Sequence, residues 1–406
     1  MTNKRWLMAC VCTLAAVYSA GGALAQTTPT EGAAPSVQRG APPPDGPKEG
    51  IPPKEDDTIE VVVTAEKLRS TEQKTPVSMT VQSGQEMRRE GRKRVDEVLQ
   101  GVVGVAVQQT QVGPQFYMRG VGQEDRASAT NETAVALYMD GVYQPRPEAI
   151  RGGTLDLERA EVLRGPQGTN LGGNSLAGAV NIVTASPKFN YEASAAATFG
   201  NLDQVDTEAV VNVPLTENQA VRVAFGTQKR GPMYASGLED SDVTMVRGRY
   251  RFQPNPDLNI VFTSEYQKLG GKGPGQGTLC DSCDSDGKVV ETHYYRDRSD
   301  PWDDGTAFGA YDTFKNTTFW NHYANIDWNL GIGTLSIVPA WQYAHYFSKE
   351  APRGNSYRQE DNTQKTEQLE VRLSSNADSK MQWVIGGQLY HTNENGLFST
   401  INTAGG

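Results

Sequence analysis

Several absences narrow what this chain can be. After residue 25 no stretch supplies the ~20 consecutive apolar residues that a spanning helix needs. Mean hydropathy is −0.55, and together these exclude a helical membrane protein. The 406 residues carry 38 basic against 48 acidic side chains, a net charge of −10, which gives no basic surface for nucleic acid. The four histidines are scattered without metal-ligand spacing, so no site for a bare metal ion is expected. No nucleophile stands with histidine and carboxylate partners, and no cofactor motif is present, so an enzyme is not expected. Low hydropathy leaves one membrane architecture open. In a β-barrel, lipid-facing and lumen-facing residues alternate and average out.

Cysteine is scarce too, with four in the chain. Cys10 and Cys12 lie in the apolar core of an export signal, residues 1–25. That signal has a charged start at Lys4 and Arg5, and a small-residue cleavage site at Ala23-Leu24-Ala25. Cys280 and Cys283 form a lone C-x-x-C, a spacing shared by zinc sites, thiol redox motifs and small disulfide loops. With no second cysteine pair and only His293 nearby, a metal site lacks ligands, and a local disulfide suits an exported chain.

Residues 26–57 are rich in Pro, Gly, Ala and charge, as in Ala41-Pro42-Pro43-Pro44-Asp45, and read as a disordered linker. The linker runs into Ile59, Glu60, Val61, Val62, Val63, Thr64 and Ala65, a β-prone run within residues 58–66 that suits strand addition to a partner sheet. Residues 70–187 read as a small α+β domain. Ser83-x-x-Glu86 caps a charged helix through Arg94, and Val95, Val98 and Leu99 mark a second, short helix. Strands are expected at 105–107, 116–118, 134–139, 160–163 and 180–183, with a hairpin turn at Asp140-Gly141.

From Tyr191 the texture changes to strict alternation. Ala193, Ala195, Ala197 and Phe199 oppose Glu192, Ser194 and Thr198, while Leu258, Ile260 and Phe262 oppose Asn259 and Thr263. The segments are about ten residues long, the length of a tilted strand in a bilayer. Tight turns at 214–219, 253–257, 331–333 and 375–380 alternate with long polar stretches at 230–242, 269–314 and 348–363. Residues 190–406 are therefore expected to form the N-terminal part of an antiparallel transmembrane β-barrel. About nine strands are legible, against the ~22 of barrels wide enough to hold a folded domain. The chain is accordingly expected to be truncated.

Four motif groups then occur in order. The first is Ile59 to Ala65, and the second Phe116-Tyr117-Met118-Arg119-Gly120. The third is Ala136-Leu137-Tyr138-Met139-Asp140-Gly141-Val142-Tyr143. The fourth runs from Glu158-Arg159-Ala160-Glu161-Val162-Leu163-Arg164-Gly165-Pro166-Gln167-Gly168-Thr169 into Asn174-Ser175-Leu176-Ala177-Gly178-Ala179-Val180-Asn181-Ile182-Val183-Thr184. In this series the chain resembles the TonB-dependent outer-membrane receptors, with a siderophore-receptor-like plug. Asn170-Leu171-Gly172-Gly173-Asn174 departs from the Leu-Tyr-Gly-Arg-Asn of many members.

The resemblance implies a location in the cell outer membrane and contact with its lipid. It implies energy-coupled uptake of a chelated nutrient, most often a ferric siderophore, with haem, cobalamin and carbohydrate as other ligands. The TonB energy-coupling protein would engage residues 59–65 as the TonB box. Arg119 and Arg164 resemble plug arginines that lock against barrel carboxylates, and alternation nominates Glu370 as their partner; a merely solvated lumen carboxylate is the other reading. Arg247, Arg249 and Arg251 share one strand face, and either attract an anionic ligand or balance plug carboxylates. A non-transporting remnant or ligand-binding fragment of such a receptor is the alternative function.

Overall fold

A computed structural model describes residues 62–63, 70–71 and 78–402, apart from 93, 111–112, 123–132, 151–153, 169–173, 234–237, 274–281, 284–288, 292–312, 354–355, 377–378 and 380. The expected signal and linker fall outside the described residues, as does most of the run from Ile59 to Ala65. Within that run, β1 (Val62–Val63) pairs antiparallel with β2 (Ser70–Thr71).

The α+β domain begins with β3 (Met79–Ser83). Ser83 then caps α1 (Gly84–Arg89), its Oγ accepting from the Glu86 amide at 3.1 Å. The helix stops earlier than the expected Arg94. Gly91 adopts φ 69°, and the Arg92 amide closes back onto the Met87 carbonyl, so the chain turns before restarting as α2 (Val95–Gln100). Met87, Val95, Val98 and Leu99 point into the core, as their helical spacing requires.

Beyond α2, β4 (Val105–Thr110), β5 (Gly113–Met118) and β6 (Val121–Gly122) make a small antiparallel sheet. The main sheet of the domain uses β3 together with β7 (Val135–Met139), β8 (Val142–Tyr143), β9 (Leu157–Arg164) and β10 (Gly178–Thr184). Their order is β3-β9-β10-β7-β8, with β10 and β7 parallel and the other pairs antiparallel. Every residue of β7 is buried, which is why Val135-Ala136-Leu137-Tyr138-Met139 reads as a continuous apolar run. The Asp140-Gly141 turn that follows has φ 50° and 84°, the left-handed pair that a two-residue hairpin demands. A Cβ at Gly178 would lie 2.3 Å from the Leu163 carbonyl oxygen and 2.4 Å from Met118 Sδ, so only glycine lets β10 lie so close to β9.

The second sheet is antiparallel and wraps this domain. It comprises β11 (Glu192–Gly200), β12 (Gln204–Thr216), β13 (Gln219–Arg230), β14 (Ser241–Asn255) and β15 (Leu258–Gly270). The short pair β16 (Ser282–Cys283) and β17 (Val289–Glu291) intervenes. Then follow β18 (Phe314–Lys315), β19 (Thr317–Asn329), β20 (Gly333–Arg353), β21 (Ser356–Ser375) and β22 (Val384–Asn402). Neighbours pair in the order β11-β12-β13-β14-β15-β19-β20-β21-β22, with β18 joined to β20.

Short turns at 217–218, 256–257 and 330–332 leave one end of the wall, and longer connections at 231–240 and 271–313 the other. Most of the expected loop at 348–363 is strand instead. β20 and β21 pair from Gly333↔Ser375 to Glu350↔Arg358 and, past a register shift, again at Arg353↔Ser356, extending the hairpin far past the bilayer length. Polar residues on both faces of its upper half hide this strand from a search for apolar alternation. Tyr346 to Gln364 (3.3 Å) and His345 to Asp361 (3.0 Å) are the cross-strand contacts that hold it.

This sheet is polar on its concave side and apolar on its convex side. Asn212, Arg247, Thr263, Glu265, Gln267 and Asn321 are all at most 3% exposed. Val211, Phe225, Phe262, Trp320, Trp328 and Leu389, on the opposite face, are 40–70% exposed. A water-soluble sheet reverses this order, whereas a barrel wall in lipid requires it. Among the described residues no helix is long and apolar enough to cross a membrane.

Candidate functional site: the seam between plug and wall

The inner domain is held by wall side chains that alternation points inward. On β13, Arg222 grips Asp156 through two bonds, Nε to Oδ2 at 2.5 Å and Nη2 to Oδ1 at 2.6 Å, and also reaches Glu192 at 3.1 Å. On β14, Arg247 sits at 2% exposure, bound to Glu265 of β15 at 2.6 Å and donating to the Leu155 carbonyl at 2.5 Å. Two residues on, Arg249 donates to the Thr184 and Ala185 carbonyls at 2.7 and 3.0 Å. Its Nη2 lies 3.7 Å from Asp140. Arg251 continues the row, donating to the Pro187 carbonyl at 3.3 Å.

Asp140 is the centre of this seam. Its carboxylate accepts from the Thr184 amide (2.8 Å), the Thr184 hydroxyl (2.6 Å) and the Tyr323 hydroxyl of β19 (2.7 Å). Asn325 Nδ2 holds its backbone carbonyl at 3.0 Å. Burial alone would raise the pKa of this carboxyl group. The Arg249 charge and the Thr184 hydrogen bonds more than offset burial, and hold Asp140 below the ordinary carboxylate range.

Toward the long-loop end the seam is neutral. There Gln267 donates to the Glu148 carbonyl (3.1 Å), Gln342 to Gln144 (3.0 Å) and Gln368 to the Tyr143 carbonyl (2.8 Å). Beyond them the polarity inverts. Arg146 of the inner domain pairs with wall Glu360 (2.9 Å) and Glu394 (2.5 Å), its guanidinium 3.9 Å above the Tyr346 ring.

Set against the sequence, the structure bears on two of the nominated clusters. The strip Arg247, Arg249 and Arg251 points at the inner domain, where Arg247 and Arg251 donate to the Leu155 and Pro187 carbonyls and Arg249 comes within 3.7 Å of Asp140. The lock nominated from Arg119, Arg164 and Glu370 is not assembled. Arg164 donates to the Val103 carbonyl (2.9 Å) and the Met79 carbonyl (3.2 Å), and Glu370 is bound by Arg372 of its own strand at 2.7 Å. Arg119 is exposed at a turn with φ 51°, near Arg164, since a Cβ at Gly104 would lie 4.0 Å from both side chains. Cys280 and most of residues 59–65 lie outside the described residues, and Cys283 is placed only as backbone in β16.

Sequence reasoning missed Asp140, Asp156, Arg222 and Tyr323 as partners. Asp140 sat inside a quoted motif, but nothing local says that a turn residue will meet a tyrosine 183 positions away. Among the described residues no cluster of His, Cys, Asp and Glu could hold a metal ion.

Residues 71–179 match the family model of the TonB-dependent Receptor Plug Domain. Those residues are a plug domain of this type. It is 26% identical over 291 residues to the ferripyoverdine receptor of Pseudomonas aeruginosa, covering 68% of this chain and 32% of that protein. With the catecholate siderophore receptor Fiu of Escherichia coli it shares 25% over 279 residues, 61% of this chain and 34% of the relative. This chain thus spans about a third of the length of those relatives.

Solved structures agree on the fold. The ferripyoverdine receptor of Pseudomonas aeruginosa superposes with a TM-score of 0.68 at 19% identity, over 83% of this chain and 45% of that one. The ferric yersiniabactin uptake receptor of Yersinia pestis gives 0.61 at 19%, over 80% and 50%. The inner domain is accordingly the plug, and the outer sheet the barrel wall that surrounds it in such receptors.

Proposed function

We propose that this protein acts in the outer membrane in energy-coupled uptake of a chelated nutrient, a ferric siderophore above all. One observation carries the reading: a folded plug is bonded to the polar concave face of a sheet whose convex face is apolar. Such a wall is stable only with hydrocarbon outside and a filled, wet lumen within. The names of the relatives, receptors for ferripyoverdine and for catecholate siderophores, supply the ligand class. β11 and β22 do not pair with each other among the described residues, so closure calls for further strands, toward the ~22 of plug-bearing barrels. Residues 59–65 are the proposed grip of the TonB energy-coupling protein. Its β-branched sequence suits strand addition to a partner sheet, and Val62–Val63 within it is already extended and paired with Ser70–Thr71.

The test is growth on a ferric siderophore as sole iron source, in cells lacking their own receptor for it, with and without residues 59–65. Growth that depends on those residues supports the reading. Binding of the siderophore without growth in either strain supports the fragment reading instead. No binding at all rejects both.

A further inference from the structure

Near the long-loop end, side chains from three adjacent wall strands converge on one plug arginine. They are Tyr346 of β20, Glu360 and Asn362 of β21, and Glu394 of β22. Tyr346 is fixed without the plug: its hydroxyl donates to Gln364 at 3.3 Å, and its ring meets Phe319 edge-on, centroids 5.6 Å apart. Asn362 is 7% exposed; its amide nitrogen donates to Glu394, and its Oδ1 is buried with no partner. An aromatic face, two carboxylates and a spare amide acceptor are the groups that hold a guanidinium or an ammonium.

Arg146 fills that space without neutralising it. Its guanidinium bonds Glu360 and Glu394 and lies in the field of Glu148, three carboxylates for one positive charge. The connections on this side deepen the same field. Residues 271–313 carry nine acidic against four basic side chains, and residues 231–240 two against none. A polyanionic chelate arriving here meets repulsion, whereas a cationic group is drawn in. The Arg146 and Glu394 side chains keep 19 and 22% exposure, so the pair is open to solvent.

We propose that Tyr346, Glu360, Asn362 and Glu394 form a recognition subsite for a ferric chelate that carries a guanidinium or primary ammonium group, and that Arg146 is its internal stand-in. The inference rests on the transport reading above and narrows its ligand class. The incoming cation takes the ring face and the two carboxylates, Asn362 Oδ1 accepts one further bond, and Arg146 turns out to solvent. Because stand-in and ligand compete for one space, removing Arg146 tightens the binding of a cationic ligand. An arginine that served to bind an anionic chelate behaves in the opposite way, since its removal weakens binding.

The experiment uses outer-membrane vesicles that carry the full chain, with vesicles lacking it as the blank and protease resistance of the plug as the check on folding. Radiolabelled methylguanidinium is the first probe. Arg146→Ala is expected to bind it about tenfold more tightly than the parent, the weight of one charge-assisted bond, and addition of Glu360→Gln or Glu394→Gln to cancel that gain. The second probe is a set of matched chelates, a ferric hydroxamate and a ferric catecholate, each with one free ammonium and again with that amine acetylated. The parent is expected to prefer an ammonium form by about tenfold, and the Glu360→Gln, Glu394→Gln double variant to bind both forms within about twofold of each other.

Equal methylguanidinium binding by the parent and Arg146→Ala overturns the subsite, as does equal affinity of the parent for the ammonium and acetylated forms of a chelate it binds. A parent that binds none of the four chelates counts against the transport reading, while the methylguanidinium arm still decides whether the wall holds a cation. Should Arg146→Ala lose protease resistance, Arg146→Gln takes its place. Should both lose it, the preference of the parent for the ammonium form decides alone, and its absence overturns the proposal.

Discussion

Removing the Asp140 carboxylate is the sharpest perturbation that the seam offers. Asp140→Ala deletes the acceptor of three hydrogen bonds, from the Thr184 amide, the Thr184 hydroxyl and the Tyr323 hydroxyl, and leaves Arg249 without the nearest negative charge. Breaking a buried ion pair from one side costs about 3–5 kcal/mol. Here the low end applies, because Arg249 keeps the carbonyls of Thr184 and Ala185. A loss of ~3 kcal/mol corresponds to roughly a hundredfold rise in the local opening constant, at 1.4 kcal/mol per tenfold.

Hydrogen exchange of the β7 and β10 amides reads that opening directly. The expected result is exchange faster by on the order of 100-fold in residues 135–143 and 178–184, with the outer wall strands unchanged. Tyr323→Phe, which removes one bond to a charged acceptor, should produce a smaller change of about 1.5–3 kcal/mol in the same amides. Because both variants touch one network, their effects should add to less than the sum. Exchange within threefold of the parent in Asp140→Ala would show that this seam does not hold the plug.

Other predictions follow from the same geometry. Since Asp140 is held below the ordinary carboxylate range, its contribution is fully present above the unfolded value near pH 4 and is lost as pH falls through the depressed one. Protection of β7 should therefore be flat from pH 7 to about 5 and decline only below about 4, and Asp140→Asn should abolish that dependence. Gly178→Ala places a methyl group 2.3 Å from the Leu163 carbonyl oxygen, and should leave the plug protease-sensitive while the wall persists. Phe262→Arg puts a charge on the convex face and should lower barrel stability by roughly 2–4 kcal/mol in a urea titration in lipid, whereas Phe262→Leu should cost under about 1.5.

How much of this was legible in the sequence depends on the kind of information each feature needs. The Ser83 cap, the Asp140-Gly141 hairpin and the apolar run of β7 are local and appear where expected. The inward direction of Arg247, Arg249 and Arg251 was likewise readable, because a period of two fixes the face. Alternation says which side a residue takes but not what stands opposite, so it could not choose between ligand and plug. The lock nominated from Arg164 met the same limit: the resemblance offered a barrel carboxylate, but Val103 and Met79 supply carbonyls from positions 61 and 85 residues away. The upper part of the β20–β21 hairpin was missed because strands beyond the bilayer need no apolar face, and their cross-strand hydrogen bonds leave little trace in composition.

The central claim is that the convex face of the wall meets hydrocarbon while the concave face meets the plug. Spin labels placed one at a time along 260–267, in a chain whose Cys280 and Cys283 are replaced and which is reconstituted in lipid, test it directly. Labels at 260, 262 and 266 should be relaxed strongly by oxygen and weakly by a water-soluble nickel chelate, while those at 261, 263, 265 and 267 should be immobilised and shielded from both. Equal access of the nickel chelate to the even and odd positions would contradict the account.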